Sequence, residues 1–199
     1  MDRKLHNRKS IRLQGYDYTQ AGLYFVTICT QNREHLFGKI YDGQLILNEP
    51  GKMIEIEWSK LTDRFKNIRL HEYMVMPNHF HAILEIVGAT LVVDPDDKIA
   101  PSTQNGKTLG EMVGSFKSIT TVAYIHGVKT NNWKCFDGKL WQRNYWEHII
   151  RNKMAHQRIA QYIIDNPIKW EKDKLNNRDG NMVMEPSADY GNENWNNIL

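Results

Sequence analysis

Two apolar, strand-like runs stand almost end to end in the middle of the chain, Ile68 to Met76 and His79 to Val87, with only Pro77-Asn78 between them. Runs so close are expected to pair as antiparallel neighbours. The second opens on His79-Phe80-His81. Strand side chains alternate between faces, so the two imidazoles point the same way, about 7 Å apart at Cα, while Phe80 points opposite. Ring nitrogens placed like this can converge on one divalent metal ion and leave open positions for water, oxygen ligands or a phosphate. A satisfied, half-buried pair of strand histidines fits the same spacing.

The flanking segments supply an order of elements. Leu23 to Thr30 is rich in β-branched and aromatic residues and reads as a buried first strand. Gly38–Ile40 and Gln44–Leu47 flank Asp42-Gly43, a hairpin signal. Asn48 can cap a helix from Pro50 to about Phe65, and apolar residues from Leu109 to Ala123 repeat at helical spacing towards Gly127. Between Gly88 and Lys107 a long surface loop is expected. Lys139-Leu140-Trp141-Gln142-Arg143 reads as a fourth strand, and Asn152 caps a third helix that Pro167 ends. The expectation is α+β: a ferredoxin-like antiparallel sheet with helices on one face. In that order the first and third strands are central and adjacent, which sets His79 and His81 mid-sheet.

At 199 residues the chain suits one core. It divides into a basic arm over 1–22, a domain over 23–167 and a polar tail over 168–199, whose Trp170, Tyr190 and Trp195 could dock on the body or on a second subunit. A net charge of +3 does not by itself demand a nucleic acid, although Arg3, Lys4, Arg8, Lys9 and Arg12 crowd the start. Cys29 and Cys135 carry no metal-ligand spacing. No apolar run reaches the ~20 residues of a membrane span, so a cytoplasmic protein is expected.

Tyr162 and Asn166 lie four residues apart, on one face of the third helix. A phenol is a poor nucleophile at neutral pH, but a divalent metal polarising a phosphate improves the electrophile, and an amide oxygen can serve as a third protein ligand. Equally, Tyr162 can pack on the sheet and Asn166 can end the helix before Pro167. Tyr145, next to Trp146-Glu147-His148, is the competing nucleophile.

Met76-Pro77-Asn78-His79-Phe80-His81, Trp141-Gln142-Arg143, Trp146 to Asn152 and Tyr162-Ile163-Ile164-Asp165-Asn166-Pro167 together resemble the REP-associated tyrosine transposases, relatives of the single-tyrosine transposases of the HUH endonuclease superfamily. The likeness runs from about Gly15 to Trp170. It implies a nuclease using Mg²⁺ or Mn²⁺ that cuts single-stranded DNA, often beside a hairpin, and keeps the 5′ phosphate on tyrosine. Residue by residue, His79 and His81 match the metal pair, Tyr162 the nucleophile and Asn166 the helix ligand; Tyr145 falls where relatives often carry another aromatic. Arg33 and Lys117 could hold phosphates, Trp141 or Trp146 could stack on bases, and His148 could orient metal or DNA or be a structural histidine. Monomer and homodimer both occur among relatives. The rivals are a domesticated hairpin-binding protein that does not cut, and a metal-dependent hydrolase using water.

Overall fold

The computed structural model describes residues 17–87, 92–93, 99–100 and 107–176, and for 92–93 and 99–100 the backbone alone. The basic arm to residue 16, most of the 88–107 loop, and Tyr190 and Trp195 lie outside the described residues. In chain order the elements are β1 (Gly22–Cys29), β2 (Gly38–Tyr41), β3 (Gln44–Leu47), α1 (Glu49–Ser59), α2 (Leu61–Arg64), β4 (Ile68–Val75) and β5 (His79–Ile86). There follow β6 (Val92–Val93), β7 (Ile99–Ala100), α3 (Leu109–Thr130), β8 (Trp146–Ile150) and α4 (Lys153–Asp165).

Four strands form one antiparallel sheet in the order β4-β5-β1-β8, the ferredoxin-like arrangement with the first and third main strands central. The pleat gives the sheet two different faces. Tyr24, Val26 and Ile28 of β1, with Phe80, Ala82, Leu84 and Ile86 of β5, pack beneath Ile54 and Trp58 of α1 and Met112, Val113 and Phe116 of α3. Both crossover helices therefore share one face, as the element order implies. Phe25, Ile83 and Ile150 emerge on the other, where Ala155, Ile159, Ala160 and Ile163 of α4 cover them. The third helix is thus an added layer on the histidine face.

Local chemistry explains the boundaries. Asn48 Oδ1 accepts from the Gly51 amide at 2.9 Å to start α1, and Asn152 Oδ1 accepts from the Ala155 amide at 2.8 Å to start α4. Thr108 and Glu111 form a reciprocal capping box on α3. Asp42 and Gly43 turn the β2–β3 hairpin with φ of 49° and 72°, the left-handed pair that an Asp-Gly turn provides. The helix expected from Pro50 to Phe65 is instead two, broken at Lys60. Helix α3 runs past Gly127 because that glycine is a seat for the Trp133 ring and not a stop.

The fourth strand is not Lys139–Arg143 but β8. Leu140 and Trp141 are consecutive and both buried, which no alternating strand with one solvent face achieves. Trp141 donates from Nε1 to Thr120 Oγ1 at 2.9 Å and packs against Phe37 and Phe116, so the segment plugs the end of β1 through one bridge at Thr30. The free edge of β1, from Leu23 to Thr27, takes Trp146–Ile150 instead.

Helix α1 approaches β2 closely at Gly51, where an added Cβ would overlap the Phe37 carbonyl oxygen. In an open helix Gly→Ala stabilises by roughly 1 kcal/mol. Gly51→Ala should lower the urea midpoint, whereas Gly114→Ala on α3, where an added Cβ meets nothing within 4 Å, should raise it.

Candidate metal and tyrosine centre

His79 and His81 are 0% and 1% exposed, with ring centroids 4.4 Å apart beneath the end of α4. Each imidazole has one nitrogen tied back to the protein. Asn78 Nδ2 donates to the Leu175 carbonyl at 2.7 Å and to the Arg33 carbonyl at 3.3 Å, which fixes the amide so that its oxygen accepts from His79 Nδ1–H at 2.8 Å. Thr27 Oγ1 lies 2.8 Å from His81 Nδ1. The Nε2 atoms of both rings are left to face the cleft. The Asn78 amide fixes the His79 tautomer and the Thr27 hydroxyl orients the His81 ring, the kind of support that metal-binding histidines usually have.

Helix α4 brings the third and fourth groups. Tyr162 Oη is 3.5 Å from His81 Nε2, and the phenol ring stands edge-on to Phe25. Asn166 is 2% exposed at the helix C-cap, and its Oδ1 is buried with no hydrogen-bond partner. Beyond Pro167 the chain returns over the site: Trp170 packs against the rings of His35 and His79. The first part of the tail therefore docks on the body. Asp173 sets Oδ2 4.0 Å from His79 Nε2, and neither atom has a hydrogen-bond partner.

Three orphaned buried donors, His79 Nε2, Asn166 Oδ1 and Asp173 Oδ2, thus converge beside His81. Unpaired buried polar atoms are costly, and a divalent cation coordinated by nitrogen and oxygen would offset that cost. The residues fit such an ion. Burial, then the neighbouring His81, Arg33 and His35, hold His79 well below its ordinary pKa, and burial brings His81 down to about 3, so both rings are neutral at pH 7 as ligands must be. Burial also raises Asp173, against the opposing pull of the Leu175 amide, Arg33 and Asn166.

The remaining sequence candidates separate. Trp146 and His148 stack at the β8 edge, with planes 8° apart, on the face that carries the histidine pair. Burial first, and then Arg151, bring His148 down to about 4. Arg33 borders the site and donates from Nη1 to the Lys174 carbonyl at 2.8 Å. Trp141, expected as a stacking surface, is in the core with both faces covered. The Lys117 ammonium, expected to hold phosphate, is turned inward, donating to the carbonyls of Gln142 at 2.6 Å and Arg143 at 3.0 Å, and burial lowers it to about 8. Tyr145 packs with the core on the opposite side of the sheet, away from the histidines. Sequence reasoning missed Asp173, Thr27 and the orienting role of Asn78. Only Asn78, adjacent to the histidine pair, carried a local signal.

No family model matches the chain. A protein of Haemophilus influenzae described as "Uncharacterized protein" is 38% identical over 176 residues, spanning 86% of this chain and 94% of its own length, and the two belong to one family. A second protein of that organism, described as "Putative REP-associated tyrosine transposase", is 25% identical over 158 residues, 77% of this chain and 74% of its own. Among solved structures, a REP-associated tyrosine transposase bound to a REP hairpin shares the fold with a TM-score of 0.51 and 19% identity, over 80% of this chain and 74% of that one.

The histidine burial has a measurable consequence in ion-free protein. A group whose folded pKa lies below its unfolded value supports folding above the unfolded pKa and loses that contribution as pH falls towards the folded pKa. Stability should therefore fall from about pH 6.5 towards pH 3, with each withheld proton adding a slope of about 1.4 kcal/mol per pH unit. His81→Gln should flatten that slope in urea titrations between pH 4.5 and 7.5.

Proposed function

We propose that this chain, a member of a transposase family related to the REP-associated tyrosine transposases, cuts and rejoins single-stranded DNA through a 5′-phosphotyrosine on Tyr162. The observation that carries this reading is the meeting of the Tyr162 hydroxyl with His81 Nε2, beside the orphaned donors of His79 and Asn166. A structural tyrosine has no need of unpaired metal-type donors around its hydroxyl.

His79, His81 and Asn166, with Asp173 within reach, would hold Mg²⁺ or Mn²⁺. When bound, the ion polarises the scissile phosphate and stabilises charge developing on its oxygens. Tyr162 Oη forms the new bond to phosphorus as the bond from phosphorus to the 3′ oxygen breaks. The phenolic proton departs, and the released 3′ oxygen takes one up. Attack by a different 3′ hydroxyl reverses the step and transfers the strand, with no external energy source, because one phosphate ester replaces another.

Phe25, against which Tyr162 stands edge-on, restricts the phenol ring, while Thr27 and Asn78 keep the two imidazoles oriented and burial keeps them neutral. The Trp146–His148 stack lies on the same face at the open sheet edge, where an unpaired base could lie on an aromatic surface. The hairpin bound by the structural relative suggests single strands flanked by hairpins as the substrate class.

With Mn²⁺ and labelled single-stranded hairpins from the protein's own genomic surroundings, wild type should form a covalent adduct on denaturing gels that maps to Tyr162. Tyr162→Phe should bind with similar affinity and form none, and His79→Ala should lose cleavage altogether. Full cleavage by Tyr162→Phe would assign the nucleophile to water. Binding by the wild type without cleavage, in protein shown to carry the ion, would leave a hairpin-binding module.

A further inference from the structure

At the opposite end of α4 from Tyr162, a second group of donors meets. The register of β4 against β5 shifts between Leu70, opposite Leu84, and Tyr73, opposite Ala82, so His71 and Glu72 together face Ile83. Two residues against one is a bulge, and it turns both side chains to the α4 side. Without the extra residue Glu72 would stand opposite Ala82 and aim its carboxylate into the apolar core beneath α1 and α3. His156, in the first turns of α4, comes down to meet them. One donor atom from each of His71, Glu72 and His156 lies within 4.8 Å of the other two.

We propose that His71, Glu72 and His156 form a second divalent metal site, for a late first-row ion of the Zn²⁺ class, that ties the start of α4 to the β4 bulge. Two imidazoles and a carboxylate are the donor set such ions favour. His156 Nε2 and Glu72 Oε2 are 3.6 Å apart, buried, and without hydrogen-bond partners. Ligands on a tetrahedral ion at ~2.0–2.1 Å stand roughly 3.3 Å from one another, so Glu72 and His156 are already close to ligand spacing, while the His71 donor, within 4.8 Å of both, has further to move. The rings of His71 and His156 stand edge to face, 5.4 Å apart.

Glu85 supplies the supporting contact. Its Oε2 lies 3.0 Å from His71 Nε2, and Arg69 holds its other oxygen at 3.7 Å. A carboxylate on a ligand histidine fixes the ring and raises its basicity.

This is not the second half of a two-metal catalytic centre. His156 and Tyr162 are six residues apart, about 9 Å along a helix, whereas paired catalytic ions sit ~3.5–4 Å apart. Its role is positional: the same helix carries Tyr162 and Asn166, and an ion at its start fixes the rotation with which those residues reach the histidine pair.

The site is tested on the full chain without DNA. After equilibrium dialysis against Zn²⁺, metal analysis should find one equivalent fewer in the double variant His71→Ala/His156→Ala than in wild type, whatever the occupancy of the His79–His81 centre. The rise in Tm that Zn²⁺ produces should shrink correspondingly. Equal stoichiometry in the two folded proteins overturns the proposal. Should the double variant not fold, wild-type crystals soaked in Zn²⁺ and measured at the zinc edge decide: an anomalous peak between His71, Glu72 and His156 supports the site, and its absence overturns it.

Discussion

Everything functional in this molecule depends on β5 being buried on both faces and used differently on each. Phe80, Ala82, Leu84 and Ile86 enter the core beneath α1 and α3, while His79, His81 and Ile83 enter the layer under α4. Burying two imidazoles is tolerable only if they stay neutral and each N–H finds an acceptor. Thr27 and Asn78 each hold one ring nitrogen, and in doing so they turn both remaining nitrogens to the same cleft. The environment that keeps protons off these rings also makes them good ligands for a cation.

Much of this was legible in the chain. The β4–β5 pair, the helix caps at Asn48 and Asn152, and the four-residue spacing of Tyr162 and Asn166 are local features whose physics needs no distant partner. What escaped depends on distance. Lys139–Arg143 and Trp146–Ile150 are both apolar enough for a strand, and only the core vacancy that Trp141 fills decides between them. Asp173 lies in a stretch without periodicity, brought to the histidines by the bond from Asn78 to the Leu175 carbonyl, 97 residues away in sequence. The bulge in β4 is equally silent, since His71-Glu72 reads as ordinary strand until its partner's register is known.

Helix α4, which carries Tyr162 and Asn166, is the last layer added and packs through a small apolar face. Its fixation is therefore as informative as its cargo. Ala155, Ile159, Ala160 and Ile163 seat it on Phe25 and Ile83, the segment after Pro167 closes over its end, and the His71–Glu72–His156 cluster meets its beginning. Side chains that must act together within an ångström gain from a helix held at both ends. Positive charge is handled with similar economy: Arg33 and Lys117 both donate to protein carbonyls.

The Pro77–Asn78 turn between β4 and β5 is more heavily tied than its two residues suggest. The Pro77 carbonyl accepts from the amides of Leu36 and Phe37, and the Asn78 carbonyl accepts from both the amide and the hydroxyl of Thr30. In the gene, this makes length far less forgiving than identity. One codon gained or lost here would slide β5 by a residue, delivering Phe80 and Ala82 to the cleft and two histidines to the oily side of the sheet. Exposed Tyr41 or Ile46 on the hairpin can drift by substitution, but the reading frame of this turn is counted in whole residues.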